Sequence, residues 1–178
     1  MRFKKMIASC KKNKVLSLSH IENSATQYIS DGQSIYPIPA YLSNLTEGSI
    51  CSMFDISESV QEKMNFPDIP IHNVFMDDKY PNESECSPTD IRIIVDGEVM
   101  QPFYTELGCV FVKQTYIDIV GKDMKQLKFY LRDEKYLAIK SGLLLDGVVL
   151  IGYKFNKTDI KELNLLSTVS QVHCISDK

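Results

Sequence analysis

The sequence predicts an α+β domain, mostly antiparallel sheet built from hairpins, with a few short helices and a C-terminal amphipathic helix. Three observations carry that reading. The longest apolar region, residues 127–155, is rich in β-branched and aromatic side chains and is punctuated by Ser141-Gly142 and Asp146-Gly147. Asp-Gly recurs at 31–32, 96–97 and 146–147 between strand-like runs, and this dipeptide supplies the positive φ angles of a tight hairpin turn. Helical signals are confined to short stretches after Leu45, Ser59 and Thr158. A length of 178 residues suits one core, so positions 1–178 are read as a single globular domain.

In chain order, residues 2–20 read as a first hairpin. Strands at 3–9 and 15–20 flank the polar turn 10–14, on the partial alternation of residues 15–19. Residues 26–30 and 33–38 form a second hairpin around Asp31-Gly32, ended by Pro37 and Pro39. Thr46 caps a short helix with Glu47 in its first turn and Ile50, Met53 and Phe54 on its buried stripe. Ser59-Val-Gln-Glu62 matches a capping box for another, with Val60 and Met64 turned inward. Residues 65–90 are a long acidic loop interrupted by Pro67, Pro70, Pro81 and Pro88, with a short strand at 71–76.

Residues 91–95 and 98–104 flank the next Asp-Gly turn. Residues 109–120 fit a strand by composition and a helix ending at Gly121 by spacing, and their β-branched content favours the strand. Residues 127–132, 136–140, 143–145 and 148–155 are the central strands. Thr158 caps the last helix, with Ile160, Leu163, Leu166 and Val169 on one face, and 171–178 form a frayed tail. The unequal spacing of the Asp-Gly pairs argues against an internal repeat.

No apolar run reaches the ~20 residues needed to span a bilayer, so no membrane partner is expected. The apolar part of the N-terminus, residues 6–8, is too short for a signal peptide. Five dispersed cysteines (Cys10, Cys51, Cys86, Cys109, Cys174) read as free thiols rather than a disulfide framework or zinc site. Both observations place the chain in the cytoplasm or another reducing compartment. A compact chain free of catalytic motifs also suits a phage or other mobile element.

Neither a cofactor nor a catalytic set is expected. His20, His72 and His173 lack metal-binding spacing, and Gly121-Lys122 lacks the rest of a phosphate-binding loop. A nucleophile pair of Cys51 or Cys109 with His72 is nominated by nothing in the sequence. Pro67-Asp68 followed by Asp77-Asp78-Lys79 is similar to the signature of PD-(D/E)xK nucleases. That resemblance implies Asp68 and Asp77 as ligands of a divalent metal and Lys79 as the group stabilising the scissile phosphate. In that family the motif lies on paired strands, whereas here it lies in the proline-broken segment.

Charge is unevenly spread. Residues 1–20 hold six basic and no acidic side chains, among them Lys4, Lys5, Lys11, Lys12 and Lys14. These lysines would serve a nucleic-acid surface or simply solubilise a hairpin tip. Residues 55–98 hold eleven acids against Lys63, Lys79 and Arg92, and a pI near 5.6 argues against a general duplex binder. The function these features fit is a non-catalytic interaction protein (inhibitor, immunity-type or adaptor) that meets a basic protein surface through residues 65–90. The contact residues expected are Phe66, His72, Phe75, Asp77, Asp78, Tyr80, Glu83 and Glu85, apolar anchors for affinity and acids for encounter.

Overall fold

The apolar runs pair into one antiparallel sheet whose middle is the 127–150 stretch. A computed structural model describes residues 1–20, 26–42, 44–68, 76–106 and 108–155. Its strands are β1 (Ser17–His20), β2 (Gln27–Ser30), β3 (Ser34–Pro37), β4 (Glu83–Pro88), β5 (Ile93–Val95), β6 (Glu98–Thr105), β7 (Gly108–Lys113), β8 (Lys128–Arg132), β9 (Tyr136–Ser141), β10 (Leu144–Leu150) and β11 (Tyr153–Phe155). The order across the sheet is β1-β2-β3-β10-β9-β8-β4-β6-β7-β11, with β5 on β6. Its helices are α1 (Phe3–Asn13), α2 (Glu47–Met53), α3 (Glu58–Gln61) and α4 (Gln114–Val120). Among the described residues no helix is long and apolar enough to cross a membrane.

β4 belongs to both halves of this sheet. Residues 83–86 pair with β8, after which Ser87 and Pro88 pair with Tyr104 and Phe103 of β6. Phe103 and Phe129 meet across this junction with ring centroids 4.8 Å apart. α1 and α4 cover the inner face and bury Met6, Ile7, Cys10, Ile117 and Ile119 against Ile29, Tyr36, Leu137 and Val149. Backbone and side-chain bonds tie this layer down: Arg2 donates to the Ile119 carbonyl (2.6 Å) and Tyr36 Oη to the Tyr116 carbonyl (2.8 Å).

Asp31, only 1 % exposed, pins α1 to the β2–β3 turn. Its Oδ1 accepts from the Gln33 and Ser34 amides (3.0 and 2.8 Å) and from Ser34 Oγ (2.8 Å). Its Oδ2 accepts from Ser9 Oγ and from Asn13 Nδ2 (2.9 Å). Five donors satisfy a carboxylate that burial would otherwise penalise.

The structure corrects the sequence reading at several places. Residues 3–9 are helix, not a hairpin strand, because Phe3, Met6, Ile7 and Cys10 recur at helical spacing and turn one stripe toward the core. Lys14, at φ 57°, ends that helix, and the alternation at 15–19 yields only β1. Residues 83–88, expected in the loop, form β4. Residues 109–120 divide into β7 and α4, and α4 stops at Gly121, φ 82°.

Asp96-Gly97 makes the expected turn with both φ angles positive (52° and 77°). At Asp31-Gly32 only the glycine does, and the Asp31 side chain holds the turn instead. Asp146-Gly147 is no turn at all: β10 runs through it with a register shift between Leu145 and Gly147, and the chain reverses at Gly142-Leu143. β10 ends at Leu150, so 148–155 is two strands, the second pairing with β7. Thr46 does cap α2, its Oγ1 accepting from the Ser49 amide (3.1 Å), but Met53 is exposed. α3 starts at Glu58 rather than after Ser59, and no side chain caps it. The helix expected after Thr158 and, but for Met76, the strand at 71–76 lie outside the described residues.

Gly147 is glycine for a packing reason. A Cβ there would stand 2.5 Å from Cδ1 of Tyr36, whose ring crosses the strand at this point. Gly147→Ala is therefore expected to cost about 1–3 kcal/mol through overpacking, read as a lower urea midpoint. Unchanged stability would mean that Tyr36 moves aside freely.

Candidate functional site

The outer face of the sheet, away from α1 and α4, carries the chemistry. Residues paired across antiparallel strands share a face. Glu83 pairs with Arg132, Glu85 with Tyr130, Tyr130 with Ala138, and Lys140 with Leu145. The neighbours Phe129, Leu131, Leu137 and Ile139 point the other way into the core. Strict alternation therefore puts Arg132 and Lys140 on the outer face, where the 76–83 segment folds over them. Arg132 is fully buried and Lys140 only 5 % exposed.

One carboxylate holds both cations. Arg132 donates from Nε (3.0 Å) and Nη2 (2.9 Å) to Glu83 Oε2, and Lys140 Nζ donates to Glu83 Oε1. Further donors take main-chain carbonyls of the covering segment: Arg132 Nη2 reaches Asp77 O at 2.9 Å and Lys140 Nζ reaches Asp78 O at 2.6 Å. Asp78 completes the strap by accepting the Leu145 amide on Oδ1 at 2.7 Å. The Arg132 guanidinium lies 5.0 Å from the Tyr80 ring centre and the Lys140 ammonium 4.5 Å from that of Tyr130.

Above this cluster lies a cavity of about 510 Å³, lined by Asp78, Lys79, Tyr80, Glu83, Tyr130, Lys140, Gly142 and Leu143. Leu143, at the β9–β10 tip, is 81 % exposed. Tyr80 Oη donates to Asp133 (2.5 Å), and that bond, before burial, pushes its hydroxyl above the usual tyrosine range. Burial and then the charges of Asp78 and Asp77 push Tyr28 up in the same way. Around the mouth Asp77, Asp78, Glu85, Asp133 and Glu134 are exposed, against Lys79, Lys128 and Lys135. The rim remains acidic although Glu83 is neutralised.

The residues expected from the sequence are thus only partly brought together. Asp78, Tyr80 and Glu83 line the cavity, Asp77 and Glu85 stand beside it, and Phe66 is exposed outside its lining. His72 and Phe75 lie outside the described residues. Glu83 serves an internal pair rather than an open surface. Sequence reasoning missed Tyr130, Arg132, Lys140 and Leu143. The legible signal was two cations, Arg132 and Lys140, standing in apolar strands, where each needs an acid. For the nuclease-like pattern of Asp68, Asp77 and Lys79, no group of three ligating side chains comes together among the described residues.

The five N-terminal lysines belong to α1 and its end, not to a hairpin tip. Lys5 is held by Asp118 (2.7 Å) and Lys12 by Glu98, at a cavity of about 250 Å³ that Lys113 and Tyr116 also line. Burial pushes the Asp118 carboxyl up, but the bonds from Lys5 and Gln114 outweigh it and leave it below the usual range. Cys10, Cys51, Cys86 and Cys109 are buried free thiols. Burial, and then the Asp31 charge, raises Cys10 far above the ordinary thiol value, and burial raises Cys86 to about 11. Thiolate, the reactive form, is scarce at all four sites.

The sequence matches no protein-family model, no curated protein and no solved structure.

Glu83→Ala leaves Arg132 and Lys140 buried without their anion, and is expected to cost about 3–5 kcal/mol in chemical denaturation. A loss below about 1 kcal/mol would show that water or another acid takes its place. Peptide mapping after iodoacetamide at pH 8 should find Cys10, Cys51, Cys86 and Cys109 unmodified in native protein and modified in denaturant. Rapid native labelling of any of them would contradict the burial described.

Proposed function

We propose that this protein is a non-catalytic binding module whose partner is a basic protein segment, seated in the cavity between the 78–83 segment and the β9–β10 tip. The observation that carries the reading is the pairing of an aromatic floor with an acidic rim. Tyr80 and Tyr130 present rings stiffened by the cations behind them, Leu143 offers an exposed apolar edge, and five exposed carboxylates outnumber three exposed lysines around them. Rigid tyrosines bury large area at low entropic cost and are frequent anchors of interfaces. The rim charges favour encounter with Lys- or Arg-rich chains and disfavour nucleic acid. An apolar side chain flanked by basic residues is the occupant this site fits.

The test is capture from lysate of the source cell with chelator present, with and without nuclease, comparing the natural chain with Tyr80→Ala and with Asp77→Lys/Asp133→Lys. A protein captured by the natural chain, lost on Tyr80→Ala and weakened at least tenfold by the charge reversal, supports the proposal. Its capture should also weaken as salt is raised. Retention by both variants, or loss of every captured protein on nuclease treatment, overturns it.

A further inference from the structure

β5 lies off the main path of the sheet and, among the described residues, pairs with β6 alone. Val95 and Glu98 close the two-residue turn at Asp96-Gly97, so that pair exchanges both backbone bonds. Bonding alternates along an antiparallel ladder, which turns the N–H and C=O of Ile94 away from β6 toward the side where no strand pairs among the described residues. Ile94 is 75 % exposed and sits directly across from Val99, which is also exposed. Sheet edges that avoid pairing carry lysine, proline or an inward charge. β5 carries Ile93, Ile94 and Val95 and none of these devices.

The sequence around this edge is its own complement. Laid antiparallel against itself about Ile94, Ile93 falls opposite Val95 and Arg92 falls opposite Asp96. Arg92 and Asp96 are both exposed. Arg92 and Ile94 alternate onto one face, Asp96 follows at the first turn position, and the bond from Arg92 Nε to Gln101 Oε1 (3.4 Å) keeps the guanidinium on the side of Val99 and Gln101. A slip of two residues either way sets Ile94 against Arg92 or Asp96, and a parallel arrangement sets Arg92 against Arg92. Only the antiparallel register centred on Ile94 joins apolar to apolar and plus to minus.

We propose that β5 is a dimerisation edge, at which two copies of this chain pair β5 to β5 about a twofold axis through Ile94. The two sheets become continuous, the two Ile94 side chains meet on the axis with Val99 of each copy flanking its own Ile94, and each Arg92 meets the opposite Asp96. The contact is isologous, so it closes at two copies and does not propagate. Three strand residues per copy make a small interface, and the dimer is accordingly weak and concentration-dependent. The β5 edge shares no residue with the cavity above Arg132 and Lys140, so either assignment stands if the other fails.

The experiment is sedimentation velocity on the full chain from about 10 μM to about 1 mM, the range in which interfaces of this size associate. The natural chain should pass from monomer to dimer and no further. Ile94→Lys alters a side chain already in solvent, so it should stay folded by circular dichroism yet remain monomeric throughout. Arg92→Asp should weaken the dimer at least tenfold, and adding Asp96→Arg should restore it to within about threefold, with denaturation reading the cost to the turn separately. A natural chain that is monomeric at the highest concentration, a folded Ile94→Lys variant that still dimerises, growth beyond the dimer, or failure of the charge swap to restore pairing each overturns the proposal.

Discussion

The Glu83 carboxylate is the constraint on which the rest of this structure depends. It stands at the first residue of β4, the strand that leaves β8 and continues along β6, so it sits where the two halves of the sheet are joined. Arg132 and Lys140 reach it from two neighbouring strands, and neither cation has open water as an alternative. With that anion in place, their spare donors hold the carbonyls of Asp77 and Asp78 and the covering segment is fixed. The cavity exists because this strap holds one wall at a set distance from the β9–β10 tip. Sheet continuity, loop position and site shape follow from one shared ion.

A second carboxylate, this one fully buried, does a different job on the opposite face. Asp31 is surrounded by hydroxyl and amide donors rather than cations, and those donors come from α1 and from its own turn. Neutral donors fix orientation without adding charge, which suits a contact between a helix and a sheet in the middle of the core. The Glu83 cluster adds charge to a face that is only half closed. A shared, polarised network there keeps two tyrosine rings rigid at the surface, which an apolar core contact would not do.

The sheet and its centre were legible in the sequence because strand signals there are local. Asp96-Gly97 sets its turn by its own φ angles, and Thr46 caps α2 through a bond three residues away. What was illegible depended on partners far along the chain. Asp146-Gly147 resembles a turn until the Tyr36 ring, supplied from β3, explains the glycine as clearance. The helix at the N-terminus was obscured by lysines that serve a hairpin tip and a helix face equally well, and the Phe3, Met6, Ile7 and Cys10 stripe was the better guide. Half of the cavity was visible as an acidic segment. The other half, Tyr130, Lys140 and Leu143, reads as ordinary strand and hairpin until the fold sets it opposite.

β3 pairs with β10, which brings Ile35 against Val148 and leaves more than a hundred residues of chain between the partners. The β1–β3 meander therefore presents a bare edge from the moment it forms until the last third of the chain has been made. During synthesis on a ribosome the first hairpins emerge long before their neighbour exists, and the central strands must thread in between them and β4. Such late, non-local closure slows folding and lengthens the time for which that edge is exposed to aggregation.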